Sequence, residues 1–103
     1  MAVPRLTRPT LKVLKTFLDE PVQERSGAEI IKETKLFSGT LYPILLRLER
    51  EEWLSSRWEE IDPAKEGRPR RRYYKLTALG QRSALDAFSE LALVSDGQLA
   101  WTT

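Results

Sequence analysis

The chain has 103 residues, of which 41% are hydrophobic, and a formal net charge of +2. This length is enough for one domain with a hydrophobic core and too short for two. The chain contains neither cysteine nor histidine, so disulfides, thiolate metal sites and cysteine nucleophiles are excluded and the commonest acid–base group is missing. We expect a protein that is not an enzyme and that uses no metal or cofactor.

No apolar stretch approaches the roughly 18 residues that a membrane-spanning helix needs. Residues 1–10 also lack the apolar core of a signal peptide. We therefore expect a cytoplasmic protein without membrane contact.

The basic residues are distributed unevenly along the chain. Residues 1–15 contain four basic side chains and no acidic one, and residues 65–75 contain six basic side chains and one acidic one. Only three charged residues follow position 82, and all three are acidic. This distribution predicts that one end of the molecule is basic and attracts phosphate backbones.

The first helix is predicted from Thr10 to Asp19, where four apolar side chains fall on one helical face. Thr10 is its candidate N-cap. Residues 1–9 contain two prolines and two arginines without periodicity and are predicted as an N-terminal arm, whereas the polar residues 20–25 are predicted as a connector. The four apolar side chains are Leu11, Leu14, Phe17 and Leu18.

A second, shorter helix is predicted from Ser26 to Thr34. Ser26 and Glu29 match the capping box, in which each side chain binds the backbone N–H of the other residue. Residues 35–37 then form a tight link to the next helix. The expected buried side consists of Ala28, Ile30 and Ile31.

A third helix, predicted over residues 38–51 with Ser38 as its candidate N-cap, has two different faces. The face expected to contact the core comprises Leu41, Ile44, Leu45 and Leu48. The opposite face, which has no acidic group, comprises Thr40, Tyr42, Pro43, Arg47 and Arg50. Such a face suits a nucleic-acid groove, although polar outer faces also occur on helices that bind no nucleic acid.

After Glu52 the pattern changes to that of two strands. Residues 53–61 alternate imperfectly, residues 62–69 are rich in turn formers, and residues 70–76 carry aromatic and long side chains. Together they predict a hairpin with a basic tip.

Four aromatic residues of this hairpin have expected positions. Tyr73 and Tyr74 alternate along the second strand, so one should enter the core while the other faces outward. Trp53 and Trp58 are expected to cover the core beneath the hairpin rather than to bind a ligand.

Thr77 is the candidate N-cap of a last helix over residues 77–94, and residues 95–103 are predicted as a tail because Asp96-Gly97 is a turn signal. The helix carries an apolar stripe wider than one small domain buries, which favours a two-fold interface. Trp101 either lines a pocket at that interface or covers a hydrophobic edge.

The order of the elements is three helices, a two-stranded hairpin and a fourth helix. It predicts a mainly α fold with a small β-hairpin, namely a winged helix-turn-helix domain over residues 10–76 followed by a C-terminal dimerisation helix. The second helix of such a motif enters the major groove of DNA.

Two stretches resemble a known family: SGTLYPILLRLE at 38–49 and GRPRRRYYKLTALG at 67–80 are similar to the PadR-like transcriptional regulators. The similarity extends from about Thr10 to Leu93. It implies a homodimer that binds a pseudo-palindromic double-stranded DNA operator, usually represses transcription and is often released by a small molecule.

The resemblance also implies site residues. Those matching the start of the recognition helix are Ser38, Gly39, Thr40, Tyr42, Pro43 and Arg47. Those matching the wing, over residues 62–72, are Gly67, Arg68, Pro69, Arg70, Arg71 and Arg72. In this family the last helix commonly pairs with its dimer mate and with the mate's first helix, which gives the dimerisation residues Leu11, Leu14, Leu85, Phe88, Leu91 and Ala92.

The chain departs from the family pattern in three places. Glu52 stands where many members have a glycine that ends the recognition helix, so a left-handed backbone there is less comfortable. Ala28 stands where many members have an aromatic ring. The C-terminal part is short, so whether an effector pocket exists is left open.

Each proposed contact has an alternative. The wing arginines either reach phosphates and the minor groove or pair with Glu59, Glu60 and Asp62 across the hairpin. Tyr42 either contacts a phosphate or covers helix 2. Arg47 binds either a guanine edge or a phosphate, and we favour the phosphate.

The leading hypothesis is therefore a dimeric, sequence-specific DNA-binding repressor. The alternative is a winged-helix module for protein assembly that has no site-specific DNA affinity.

Overall fold

The computed structural model describes the backbone of residues 6–102 and the side chains of residues 6–92. The fold is mainly helical with a small antiparallel sheet, which confirms the predicted winged helix-turn-helix with a C-terminal helix. The helices are α1 (Arg8–Asp19), α2 (Gly27–Thr34), α3 (Ser38–Arg50), α4 (Pro63–Glu66) and α5 (Ala78–Thr102). The strands are β1 (Arg25–Ser26), β2 (Leu54–Trp58) and β3 (Arg72–Leu76). Within this described part, no helix is both long and apolar enough to cross a membrane.

The sheet has the order β1-β3-β2, with β3 in the middle. Register pairs in the hairpin run from Leu54 opposite Leu76 to Trp58 opposite Arg72. Strand β1 was predicted as part of a connector and a helix cap. It is only two residues long, so no sequence period reveals it, and it exists because it pairs with Tyr73 and Tyr74 of β3.

The turn-rich segment between β2 and β3 contains the short helix α4, which was not predicted. Asp62 caps it by accepting a hydrogen bond from the Ala64 N–H at 3.0 Å, and Pro63 occupies the first helical position. Both are good helix-start residues. Gly67, with φ +67°, ends this helix in the left-handed region that glycine tolerates best.

The helix caps follow the predictions in two cases and differ in two. The Ser26–Glu29 capping box is confirmed, and Thr77 caps α5 through a 2.9 Å bond from the Gly80 N–H. The cap of α1 is Thr7, not Thr10, because Thr10 already lies inside the helix and donates its N–H to Thr7.

Ser38 is also not an N-cap. It is the first residue of α3, and Phe37 occupies the cap position without a side chain that could accept a hydrogen bond. The first turn of α3 is consequently left without side-chain capping.

The core lies between α1, α2, α3, α5 and the sheet. Val13, Leu14 and Phe17 of α1 meet the four predicted core residues of α3, which are all at most 3% exposed. Trp53 and Tyr74 are buried as expected. Two expectations were wrong: Trp58 is 56% exposed, and Ala28 lies on the exposed side of α2.

Helix α5 continues to Thr102, so the prediction that it ends near Val94 and gives way to a tail was wrong. The turn signal Asp96-Gly97 lies within the helix. The side chain of Trp101 lies outside the part of the chain whose side chains are described.

The C-terminal end of α3 closes with a Schellman motif. The Trp53 N–H binds the Leu48 carbonyl at 2.9 Å and the Glu52 N–H binds the Glu49 carbonyl at 3.0 Å, while Glu52 adopts φ +63°. This left-handed position is the one that glycine usually fills. The helix therefore ends in a turn whose left-handed position glycine favours, and Glu52 occupies that position with strain.

We predict that Glu52→Gly stabilises the protein by about 0.5–1 kcal/mol, the left-handed penalty less the extra unfolded-chain entropy of glycine. Urea unfolding measures this change. Glu52→Ala is the matched control, since alanine keeps the strain and should gain nothing comparable. A Glu52→Gly protein less stable than the wild type would contradict the strain argument.

Candidate nucleic-acid interface

The amino-terminal half of α3 presents a wholly exposed surface. Phe37 and the three residues after it are exposed, and the acid-free face continues along the helix. The predicted contact residues on this face are all exposed: Ser38, Gly39, Thr40, Tyr42, Pro43 and Arg47. Leu46, 51% exposed, also lies on this face and was not predicted. Since the buried row fixes the rotation of α3, these side chains share one direction.

Gly39 is not required by the chain itself. A β-carbon built at this position meets no described atom within 4 Å, and its φ is not positive. Glycine inside a helix costs about 0.5–1 kcal/mol relative to alanine. This residue leaves the backbone at the start of α3 open to close approach from outside.

Tyr42 covers α2, which is one of its two predicted roles, while part of its ring stays exposed. Its side chain is 47% exposed, and the ring packs on the first residue of α2. A β-carbon at Gly27 would lie 2.9 Å from the ring carbons Cε1 and Cζ, so glycine is needed there for packing. One side of the ring covers α2, and the other remains accessible.

An open groove of about 420 Å³ separates the helix-turn-helix unit from the hairpin. The helical wall is formed by the start of α2 and by Tyr42. The hairpin wall is formed by Trp58, Arg70, Arg71, Arg72 and Tyr74. The groove is thus basic on the wing side, where three arginines line it beside Trp58 and Tyr74.

Three arginines of the hairpin region pair with carboxylates. Arg68 makes a two-bond contact with Glu59, with Nη1 at 2.7 Å and Nη2 at 2.9 Å from the two carboxylate oxygens. Arg57 holds Glu24 in the same manner. For Arg68, the cross-hairpin alternative is therefore the one observed.

Arg72 connects the wing to α3. Its Nη2 lies 3.2 Å from Glu49 of α3, its Nε donates to the Ser56 hydroxyl at 3.0 Å, and its guanidinium stacks over Trp58 at 5.3 Å. Ser56 in turn donates to Glu49. This cluster fixes the hairpin relative to α3.

Other arginines keep their charge available. The Arg71 side chain is exposed, and its backbone N–H donates a hydrogen bond to the Glu59 carboxylate. The Arg70 side chain donates to the Ile61 carbonyl at 3.2 Å. Among the described residues, no carboxylate forms a salt bridge with Arg47, Arg50, Arg70 or Arg71. These four charges on α3 and the wing are available to an anionic partner.

The predicted dimerisation residues occupy different environments. Leu85 and Leu91 are 50% and 39% exposed, and Ala92 is exposed. Leu11 and Phe88 are half-buried. Leu14 is completely buried in the core of its own chain, so it cannot itself contact a partner. The apolar periodicity of α1 at Leu14 therefore reflects packing within the chain's own core.

Sequence reasoning missed two features of this surface. The exposure of Phe37 had no signal, because a single apolar residue in a link carries no period. The stacking of Arg72 on Trp58 depends on the hairpin register, which places these two residues opposite each other.

A helix-turn-helix whose second helix has an exposed, acid-free face, followed by a basic wing, is typical of DNA-binding transcriptional regulators. The model of the PadR-like transcriptional regulator family matches residues 14–86. The chain belongs to this family. Among curated proteins, none matches the sequence significantly.

Solved structures have the same fold. The chain is similar to a PadR-like transcription factor from Bacteroides fragilis, with a TM-score of 0.73 and 26% identity over 88% of this chain and 86% of that one. It is similar to a PadR-family regulator from Eggerthella lenta, with a TM-score of 0.74 and 25% identity over 91% and 82%. The PcaV regulator from Streptomyces coelicolor, 22% identical, shares the fold with a TM-score of 0.72 over 92% and 62%.

The pKa of Glu59 is lowered from 4.5 to about 2. The main cause is the pair of side-chain hydrogen bonds from Arg68, and the hydrogen bond from the Arg71 backbone N–H lowers the pKa further. A carboxyl group whose pKa is lower in the folded protein than in the unfolded chain stabilises the fold at pH values above its unfolded-state pKa. The contribution of this pair should therefore be complete above about pH 4.5 and lost as the pH falls toward 2.

We predict that Arg68→Gln raises the pKa of Glu59 back toward 4.5, because the main cause of the shift is removed. A carbon NMR titration of the Glu59 carboxyl measures this value. Arg71→Gln is the control, since it keeps the backbone N–H and should leave the pKa low. An ordinary pKa of Glu59 in the wild type would contradict the described hairpin contact.

Proposed function

We propose that the protein is a homodimeric, sequence-specific repressor that binds a pseudo-palindromic operator. Helix α3 enters the major groove, and the wing over residues 62–72 contacts the backbone and the adjacent minor groove. The observation that carries this proposal is the exposed, acid-free start of α3 beside arginines that form no salt bridge with any described carboxylate. In this proposal the protein acts in the cytoplasm.

The start of α3 supports major-groove entry. The major groove of DNA is wide enough to admit an α-helix, and a helix face without acidic side chains is not repelled by the phosphates at its edges. Gly39 leaves the backbone open, while Ser38 and Thr40 offer short hydroxyl groups. Arg47 lies two turns further along the exposed face, where it suits a phosphate.

The wing supports backbone contact. Arg70 and Arg71 line the groove between the wing and α2, and neither forms a salt bridge with a described carboxylate. Phosphate contacts fix orientation more than sequence. In this proposal Arg68 and Arg72 set the shape of the wing, and Arg70 and Arg71 meet the DNA.

The apolar face of α5 supports a dimer. Leu85, Phe88 and Ala92 follow three- and four-residue spacing, and Leu91 adjoins them. Leu85 and Leu91 are unusually exposed for leucines on a helix. A two-fold interface through this face and Leu11 of α1 would bury them and place two copies of α3 on two half-sites. Repression then needs only that the dimer occupy an operator overlapping a promoter.

The direct test is selection from random duplex DNA by the purified protein at near-physiological salt, with the oligomeric state measured in parallel. We expect a palindromic consensus with half-sites about ten base pairs apart, since this separation equals one helical turn. A folded dimer that enriches no sequence would overturn the proposal and favour the protein-assembly module.

We predict that Arg71→Gln weakens operator binding about equally for all sequences and lowers the salt slope by about one per half-site, since one phosphate contact is lost. Fluorescence anisotropy over a salt series measures both. Arg82→Gln is the matched control. Arg82 follows Gly80, which packs against Trp53 just beyond the C-terminal end of α3, away from the end proposed to enter the DNA. An unchanged slope for Arg71→Gln would remove this residue from the contact.

We predict that Gly39→Ala raises the free energy of unfolding by about 0.5 kcal/mol but weakens operator binding about tenfold or more, a cost in the range of one base contact. The added methyl group has space within the chain and none against DNA. Urea unfolding and anisotropy measure the two effects on the same protein. A more stable variant that binds as tightly as wild type would show that DNA does not approach this backbone.

A further inference from the structure

Phe37 is the most exposed large apolar side chain among the described residues, at 84%. It stands at the cap position of α3, where its neighbour Leu36 instead packs against the core. Water is an unfavourable environment for a phenyl ring, and no residue that the structure describes covers this one. The ring thus extends the outward surface of α3 at its amino-terminal end.

The same end of α3 has few groups that can read bases by hydrogen bonds. Residues 36–46 contain none of the side chains that bond base edges in pairs, namely Asn, Gln, Arg and Lys. Ser38 and Thr40 supply only short hydroxyls, and the first arginine is Arg47. The side chains that lead into the groove are therefore mainly apolar.

The major groove offers one apolar mark, the C5-methyl group of thymine. Phe37 lies beside the open backbone of Gly39 and has no acidic residue within ten positions on its C-terminal side. A ring in this place can approach a base edge without electrostatic repulsion from neighbouring phosphates.

We propose that Phe37 is a specificity residue that packs on the methyl group of one thymine in each half-site. This inference rests on the function proposed above. In this inference, an apolar contact at the N-terminal end of α3 recognises the base sequence. Arg47 and the arginines of the wing orient the protein on the DNA and add affinity.

The test uses the selected operator, in which each thymine is replaced in turn, in both half-sites, by deoxyuridine, which lacks only the methyl group. For the wild type we expect binding to weaken at one position by about fourfold per half-site, the factor for exposing one buried methyl group. Phe37→Ala should bind the unmodified operator more weakly and be indifferent to deoxyuridine at that position.

Val22→Ala is the matched control. Val22 is 82% exposed but lies in the connector after α1, so this variant should retain the wild-type response. Because both side chains are exposed, both variants should unfold at the same urea concentration as the wild type, and sedimentation should give the same oligomer.

Three results would overturn the inference. The first is a wild type that binds every deoxyuridine operator equally well, and the second is a Phe37→Ala variant that keeps the wild-type sensitivity. A changed oligomer for Phe37→Ala would instead make the ring a contact between protein chains. Each of these leaves site-specific binding intact, whereas a protein that selects no operator overturns this inference together with the proposed function.

Discussion

The burial of one row of α3 is the constraint on which the rest of the site depends. Leu41, Ile44, Leu45 and Leu48 are almost inaccessible to water, so the helix cannot rotate about its axis without exposing them. That fixed rotation decides which side chains face outward. The exposed residues from Phe37 to Arg50 acquire their common direction from the core beneath them, and not from contacts with one another.

Two sets of contacts fix the positions of the wing and of α5 relative to α3. On one side, Glu49, Ser56 and Arg72 connect α3 to the wing. On the other, the Thr77 hydroxyl binds the Glu52 carbonyl at 2.6 Å, and a β-carbon at Gly80 would lie 2.7 Å from the Trp53 carbonyl carbon. The start of α5 is thereby seated on the end of α3. In the proposed dimer, a change in how the two copies of α5 meet would therefore move the exposed start of α3.

The parts that the sequence predicted are those that depend on local interactions. The capping box at Ser26 and the apolar row of α3 need only residues within one or two turns. What it missed depends on contacts between distant segments. Strand β1 pairs only with β3, the stacking of Arg72 on Trp58 follows from the hairpin register, and the pairing of Arg72 with Glu49 depends on how the hairpin packs against α3. The turn signal in α5 failed because Asp96-Gly97 is an intrinsic preference that the continuing helix overrides.

The most direct test of the account is where the amino-terminal end of α3 lies on DNA. Because the chain has no cysteine, Ser38→Cys gives a unique thiol that can carry an iron chelate that cleaves nearby DNA, with Gln81→Cys on α5 as the control. We expect Ser38→Cys to cut the selected operator at two symmetric positions about ten base pairs apart, and Gln81→Cys to cut weakly. Equal cutting from both positions, or none from Ser38→Cys on a bound operator, would contradict the account.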